Sequence, residues 1–360
     1  MLQFTSETSA FTCQGCHYDQ YEEWRLPFDQ RMVEVVVAPS PRQGTFHALA
    51  WIDQGFQEAY QDNGQSGFCQ RCHIPDSIFD TQDRSGIYAP LSRGLMAGNA
   101  QEGVTCVSCH LDSEGVIRGP TGPTVPGVSP HPLRQDNIYH TVEVCASCHD
   151  DEVYGAFTRT VEQWYTQTDG SRICQDCHMS PGRVTHLWTG GHDPLRLADT
   201  FHFEIKSSGD SPGSTLSLTV VNEGAAHSAP TGDVYRAFWL HLYAMSPSGE
   251  LVWRSEWQIS QPVVLEGILR ELDNSAPRIL PIPSQGSAEL PLQALEPGEY
   301  TLKLVVDYYT IKPCELISEL TSEVEVVEPS SPISVQTSFW QISISQGAVP
   351  RVISSGSEPW

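Results

Sequence analysis

The pattern Cys-x-x-Cys-His occurs five times in the first half of this chain: Cys13-Gln14-Gly15-Cys16-His17, Cys69-Gln70-Arg71-Cys72-His73, Cys106-Val107-Ser108-Cys109-His110, Cys145-Ala146-Ser147-Cys148-His149 and Cys174-Gln175-Asp176-Cys177-His178. Two thiols one turn apart can each add to a vinyl group of a single porphyrin. The next residue, histidine, then lies beneath the iron as its proximal ligand. A zinc half-site, a redox pair or a disulfide framework would not require histidine after every second cysteine. Ten of the 11 cysteines fall into these pairs. The sequence therefore predicts five covalently bound c-type haems, with Cys314 left over as a buried or inert thiol.

The chain has 360 residues and a net charge of -24, from 44 acidic and 20 basic residues. Haem propionates would add to that negative charge. This excludes a nucleic-acid partner, whose phosphates need Lys and Arg, and favours basic partners. No apolar run is long enough to span a bilayer. Met1–Ala10 is polar and lacks a signal-peptide pattern, although covalent haem attachment takes place outside the cytoplasm. The sequence is therefore expected to be a mature or trimmed form of a periplasmic, cell-surface or extracellular protein.

Residues 1–199 are punctuated by Gly, Pro and Asp, with short helical patterns at 18–24, 45–61 and 151–167. Residues 120–132 are proline-rich and expected to be extended or turn. Few Leu, Ile or Val are available for a core, so five porphyrins are expected to supply it. From 200 to 328 the pattern changes to period two, with strands expected at 201–206, 215–222, 235–244, 251–259, 300–308 and 316–327. Trp239 and Trp253 are expected in their core. The fold class predicted is a loop-rich, mainly α multihaem domain wrapped around five haems, followed by an all-β immunoglobulin-like sandwich. Residues 329–360 are expected to be a β-prone arm. Its stretch Ile333–Ser345 would be either one more strand of its own domain or an addition to another subunit's sheet edge.

The second ligand of each iron must come from elsewhere. Eight histidines lie outside the motifs: His47, His131, His140, His186, His192, His202, His227 and His241. Met32, Met96, Met179 and Met245 are the methionine alternatives, and Met179 directly follows His178, too close to fold back to that iron. The supply favours bis-histidine ligation. His202 and His241 lie in expected strands and are assigned structural roles.

Several segments resemble the multihaem respiratory cytochromes c. Phe46-His47-Ala48-Leu49-Ala50 resembles their S-x-H-A-x-A segment, Gly103–His110 their G-V-x-C-x-x-C-H, and Cys174–Met179 their C-Q-x-C-H-M. His186–Asp193 resembles H-x-x-x-G-G-H-D, and Asn222–Gly232 resembles N-x-G-A-x-H-x-x-P-T-G, which opens an immunoglobulin-like domain there. The resemblance covers roughly residues 11–330. It departs in one place, where some twenty residues separate Trp24 from His47. It implies distal-ligand roles for His47, His186, His192 and His227, with His131 and His140 competing for the fifth.

Bis-histidine sites have no open coordination position, so electron transfer between redox protein partners is the expected function. The arm and haem-edge contacts would allow a homo-oligomer or filament. The alternative is a reductase of nitrogen or sulfur oxyanions, which needs one open haem site. No catalytic residue is assigned.

Overall fold

The structure is a computed structural model that describes residues 2–5, 8–25, 47–52, 72–73, 75, 102–122, 129–150, 159–179, 185–191, 193–207, 209, 214–265, 269–272, 276–318, 321–327, 329–346 and 348–359. Its α-helices are α1 (Phe11–Gln14), α2 (Tyr18–Arg25), α3 (Cys106–His110), α4 (Glu143–His149), α5 (Thr160–Gln167), α6 (Cys174–His178) and α7 (Pro194–Ala198). The chain divides into two compact units: residues 1–151 with 170–189, and residues 152–169 with 190–360.

In the first unit three of the Cys-x-x-Cys-His motifs lie on helices, namely α3, α4 and α6. Helix α3 starts after extended Thr105, whose N–H donates to the Ser108 hydroxyl at 3.0 Å. Helix α6 starts in the same way, with the Ile173 N–H donating to the Asp176 carboxylate at 2.9 Å. A side chain reaching back to the residue before the helix satisfies a backbone donor that the helix leaves open. Helix α4 carries the fourth motif. A 3-10 helix spans His47–Ile52, and a second spans Asn137–His140. Strands β1 (Ile117–Gly119) and β2 (Leu133–Gln135) pair in parallel. Apolar packing is sparse, with one cluster of Phe4, Val107 and Leu111 and another of Ala10, Trp24 and Ala48.

The second unit is built on sheets. Its strands are β3 (Phe201–Ser207), β4 (Leu216–Asn222), β5 (Ala237–Met245), β6 (Leu251–Ser260), β7 (Val264–Leu265), β8 (Leu269–Glu271), β9 (Arg278–Ile279), β10 (Ser287–Pro291), β11 (Gly298–Tyr309), β12 (Cys314–Ser318), β13 (Val324–Val327), β14 (Ile333–Ile344) and β15 (Arg351–Pro359). They form a three-stranded sheet in the order β10-β4-β3, a six-stranded sheet β15-β14-β11-β5-β6-β9 and a four-stranded sheet β13-β12-β8-β7. Period-two burial on β11 sends Leu302, Leu304, Val306 and Tyr308 inward. The first two sheets meet through Phe201 and Phe238, whose ring centroids lie 4.8 Å apart. Cys314 is buried, in a cluster with Val263, Ile311 and Leu316.

The expected fold class is corrected. The described chain is predominantly β, and its helices run only four to eight residues. A mainly α first half does not form: helices α3, α4 and α6 stop at the histidine of their motif, and α1 stops at Gln14, before His17. After α3 the backbone is already extended at Leu111, so the helix goes no further there. The 45–61 helix is a 3-10 turn over His47–Ile52, with the remainder outside the described residues, as is much of 120–132 and of 151–167. The single strand at 316–327 is two, β12 and β13, with Ser322 at φ 59° between them. Trp239 is buried as expected, but Trp253 is only half-buried, and Trp257 and Trp340 are the further buried tryptophans of the sheets. Residues 333–344 lie inside the six-stranded sheet, with β11 on one side and β15 on the other.

Candidate haem-binding sites

Three spare histidines each face a motif histidine within the first unit. His131 faces His17 with ring centroids 6.4 Å apart. His186 faces His110 at 6.4 Å, and His47 faces His149 at 6.3 Å. Two imidazoles bound to opposite sides of one metal ion, each through a bond of about 2 Å, would hold their centroids about 6 Å apart. The residues therefore fit haem at these three motifs. A facing pair supplies only two donors, and no cluster of three or more His, Cys, Asp or Glu suited to a bare metal ion occurs among the described residues. The remaining donors would have to come from a porphyrin.

Hydrogen bonding fixes which ring nitrogen is available. The Nδ1 atoms of His73, His110 and His178 contact the carbonyl oxygens of Ala50 (2.7 Å), Arg118 (2.7 Å) and Thr189 respectively. His131 does the same toward Pro132 O at 3.1 Å, and His227 toward Ser228 O at 2.9 Å. A carbonyl oxygen can only accept, so Nδ1 carries the proton and Nε2 keeps its lone pair for a metal. His186 differs: its Nδ1 is buried with no hydrogen-bond partner, while its backbone N–H donates to Glu23 at 3.0 Å. Burial, with His149 and His186 nearby, lowers His47 to about 3. Burial, with His110 nearby, lowers His186 to about 4. Both rings therefore stay neutral near pH 7, as a ligand must.

Thiol contacts link the motifs. Cys13 and Cys106 hydrogen-bond to each other, as do Cys145 and Cys174. Burial and the neighbouring Cys148 push Cys109 up to about 12. The first motif thus adjoins the third, the third the fourth, and the fourth the fifth. Cys72 is half-buried, and Cys69 lies outside the described residues.

His140 is not brought to a motif histidine. It is exposed, with Nε2 turned to Pro120 O at 3.4 Å, so of the two competing histidines His131 is the one that lies beside a motif histidine. His192 lies outside the described residues; beside it, a β-carbon on Gly191 would come 2.8 Å from the Tyr308 hydroxyl, which would have to shift to admit it. His202 is exposed on β3, and His241 lies 3.4 Å from Glu256 and 3.7 Å from Asp307. Two aromatic residues at the sites were not anticipated. Tyr139 stacks on His110 at 5.1 Å and 9°, and donates its hydroxyl to Cys109 O at 2.6 Å. Trp188 packs against both His47 and His186. Its position inside His186–His192 was the available signal.

The fold is similar to the crystal structure of a penta-heme cytochrome c552 from Thermochromatium tepidum. The TM-score is 0.60 at 16% identity, covering 92% of this chain and 100% of the other. No protein-family model matches the chain, and no curated protein matches it. The likeness is one of fold, that of a multihaem cytochrome. No helix among the described residues is long and apolar enough to cross a membrane.

Proposed function

We propose that the chain is an extracytoplasmic pentahaem c-type cytochrome that transfers electrons through bis-histidine sites. The observation that carries this is the facing of three motif histidines by three spare ones at the separation one iron requires. The ten motif cysteines would hold the groups, with His17, His73, His110, His149 and His178 as proximal ligands. His131, His186 and His47 complete the first, third and fourth sites. His227, with Nδ1 anchored, and His192 are the candidates the sequence resemblance leaves for the other two. Bound there, haem would supply one-electron Fe(III)/Fe(II) exchange. The protein's part is to present neutral Nε2 atoms, to fix ring orientation through backbone carbonyls, and to space the sites in the order first, third, fourth, fifth. Redox proteins with basic surfaces would be its partners, and copies of the chain could extend the array.

The mass of the holoprotein and low-temperature EPR of its oxidised form test this. Five haems and low-spin signals alone are expected. A mass matching fewer haems overturns the count. A strong high-spin signal overturns full bis-histidine ligation and favours an oxyanion reductase. Light scattering against concentration tests self-association, which fails if the protein stays monomeric.

A further inference from the structure

One side chain touches ligands of two different sites. The Trp188 indole stands edge-to-face against His47, with centroids 4.7 Å apart and planes at 74°. It also stands edge-to-face against His186, at 5.1 Å and 83°. His47 faces His149 of the fourth motif, whereas His186 faces His110 of the third. The backbone of Trp188 has φ 43°, a left-handed conformation that a residue with a large side chain rarely adopts. Such a conformation persists where the surroundings hold it, and it gathers at functional positions. Here the indole packs against the Ala10, Trp24 and Ala48 cluster. The following residue, Thr189, donates its N–H to His178 O at 3.0 Å and accepts from His178 Nδ1.

We propose that Trp188 is a shared positioning residue, a single indole that sets the ring planes of His47 and His186 and so tunes the third and fourth sites together. This rests on the bis-histidine reading above. A perpendicular aromatic contact resists rotation of an imidazole about its Cβ–Cγ bond. The plane of an axial imidazole governs the g-values of a low-spin ferric centre and contributes to its potential. Two sites that share one support should therefore change as a pair.

The test compares oxidised holoprotein of wild type, Trp188→Phe and Trp188→Leu by EPR and redox titration. His47→Ala and His186→Ala mark the signals of the fourth and third sites. If wild type lacks bis-histidine low-spin signals, the ligation itself is wrong and Trp188 has no axial ligands to position. With those signals present, Trp188→Leu is expected to shift the two marked signals and two midpoint potentials, leaving the others in place. Trp188→Phe, which keeps an aromatic edge, should restore them in part. The proposal is overturned if Trp188→Leu moves neither marked signal or only one. It is also overturned if all sites move and Trp188→Phe does no better than Trp188→Leu, or if neither variant holds five haems.

Discussion

Gly103 lies so close to His47 that a β-carbon on it would stand 2.3 Å from the His47 carbonyl oxygen. Its φ is +65°, and the next residue, Val104, donates its N–H to that same oxygen at 2.8 Å. The glycine just before the third motif thereby anchors the backbone of His47, whose ring faces His149 of the fourth motif. Gly103→Ala should cost roughly 2 kcal/mol or more, from the strained φ and the clash together. It should also displace His47 from His149. A new high-spin signal from one site, with a lowered melting temperature, is expected, and an unchanged spectrum would contradict it.

His131 and His140 separate cleanly. His131→Ala should make the first site high-spin, because it removes the ring facing His17 at 6.4 Å. His140→Ala removes an exposed ring and should leave every signal unchanged. Absorption and EPR spectra of the two variants decide the matter, and equal effects would refute the assignment.

How far the sites were legible depends on what recorded them. The cysteines and motif histidines were written in local sequence, as one spacing repeated five times. Which spare histidine faces which motif was not, because those contacts join segments remote along the chain. Pro130 and Pro132 flank His131 in sequence, yet they do not say where its ring points. In the sheets, alternation disclosed β3, β4, β5 and β11. It passed over β10, whose Ser-Ala-Glu-Leu-Pro sequence reads as a turn although it pairs with β4 along its whole length. In Ile333–Ile344 alternation announced a strand but not its sheet.

Acid should weaken the first unit in the pH range where carboxylates protonate. Asp136 is held below the usual carboxylate range by the Ile138 N–H and by Arg118. For Asp112, burial pushes the pKa up but is outweighed by the N–H groups of Val116 and Glu114 and by Arg118, so it too is lowered. A carboxylate with a depressed folded pKa contributes stability above its unfolded value, about 4. That contribution is lost as pH falls through the folded pKa. Thermal melts from pH 6 to 2 should show melting temperature falling below about pH 4. Asp136→Asn should lower stability at pH 6 and flatten the acid slope. A parallel slope would discount the ion pair.

Lys312 and Glu271 form a buried ion pair 2.8 Å apart in the second unit, both side chains almost wholly shielded, with Arg278 on the same carboxylate. Lys312→Met should destabilise that unit by about 1.5–3 kcal/mol, since it strips Glu271 of one buried partner while Arg278 stays on the carboxylate. Denaturant melts of the wild type and the variant check this, and an unchanged midpoint would contradict it.

The C-terminal segment gives a graded truncation. Removing residues 346–360 deletes β15 and should leave the remaining sheet folded, with β14 as its new edge. Removing residues 333–360 also takes away β14, which pairs with β11 from Gly298 to Tyr308. That should unfold the second unit rather than merely abolish assembly. Circular dichroism of both proteins distinguishes the cases, and a folded longer deletion would contradict the role of β14.

The carbonyls that receive Nδ1 protons belong to Ala50, Arg118, Pro132, Thr189 and Ser228, residues with no chemistry in common. Each contributes only main-chain oxygen, which every amino acid carries. The tautomer of those imidazoles is thus written in the path of the backbone and insulated from side-chain replacement. Sequence can drift around such a ring without changing which nitrogen it offers, so long as the turn beneath it keeps its course.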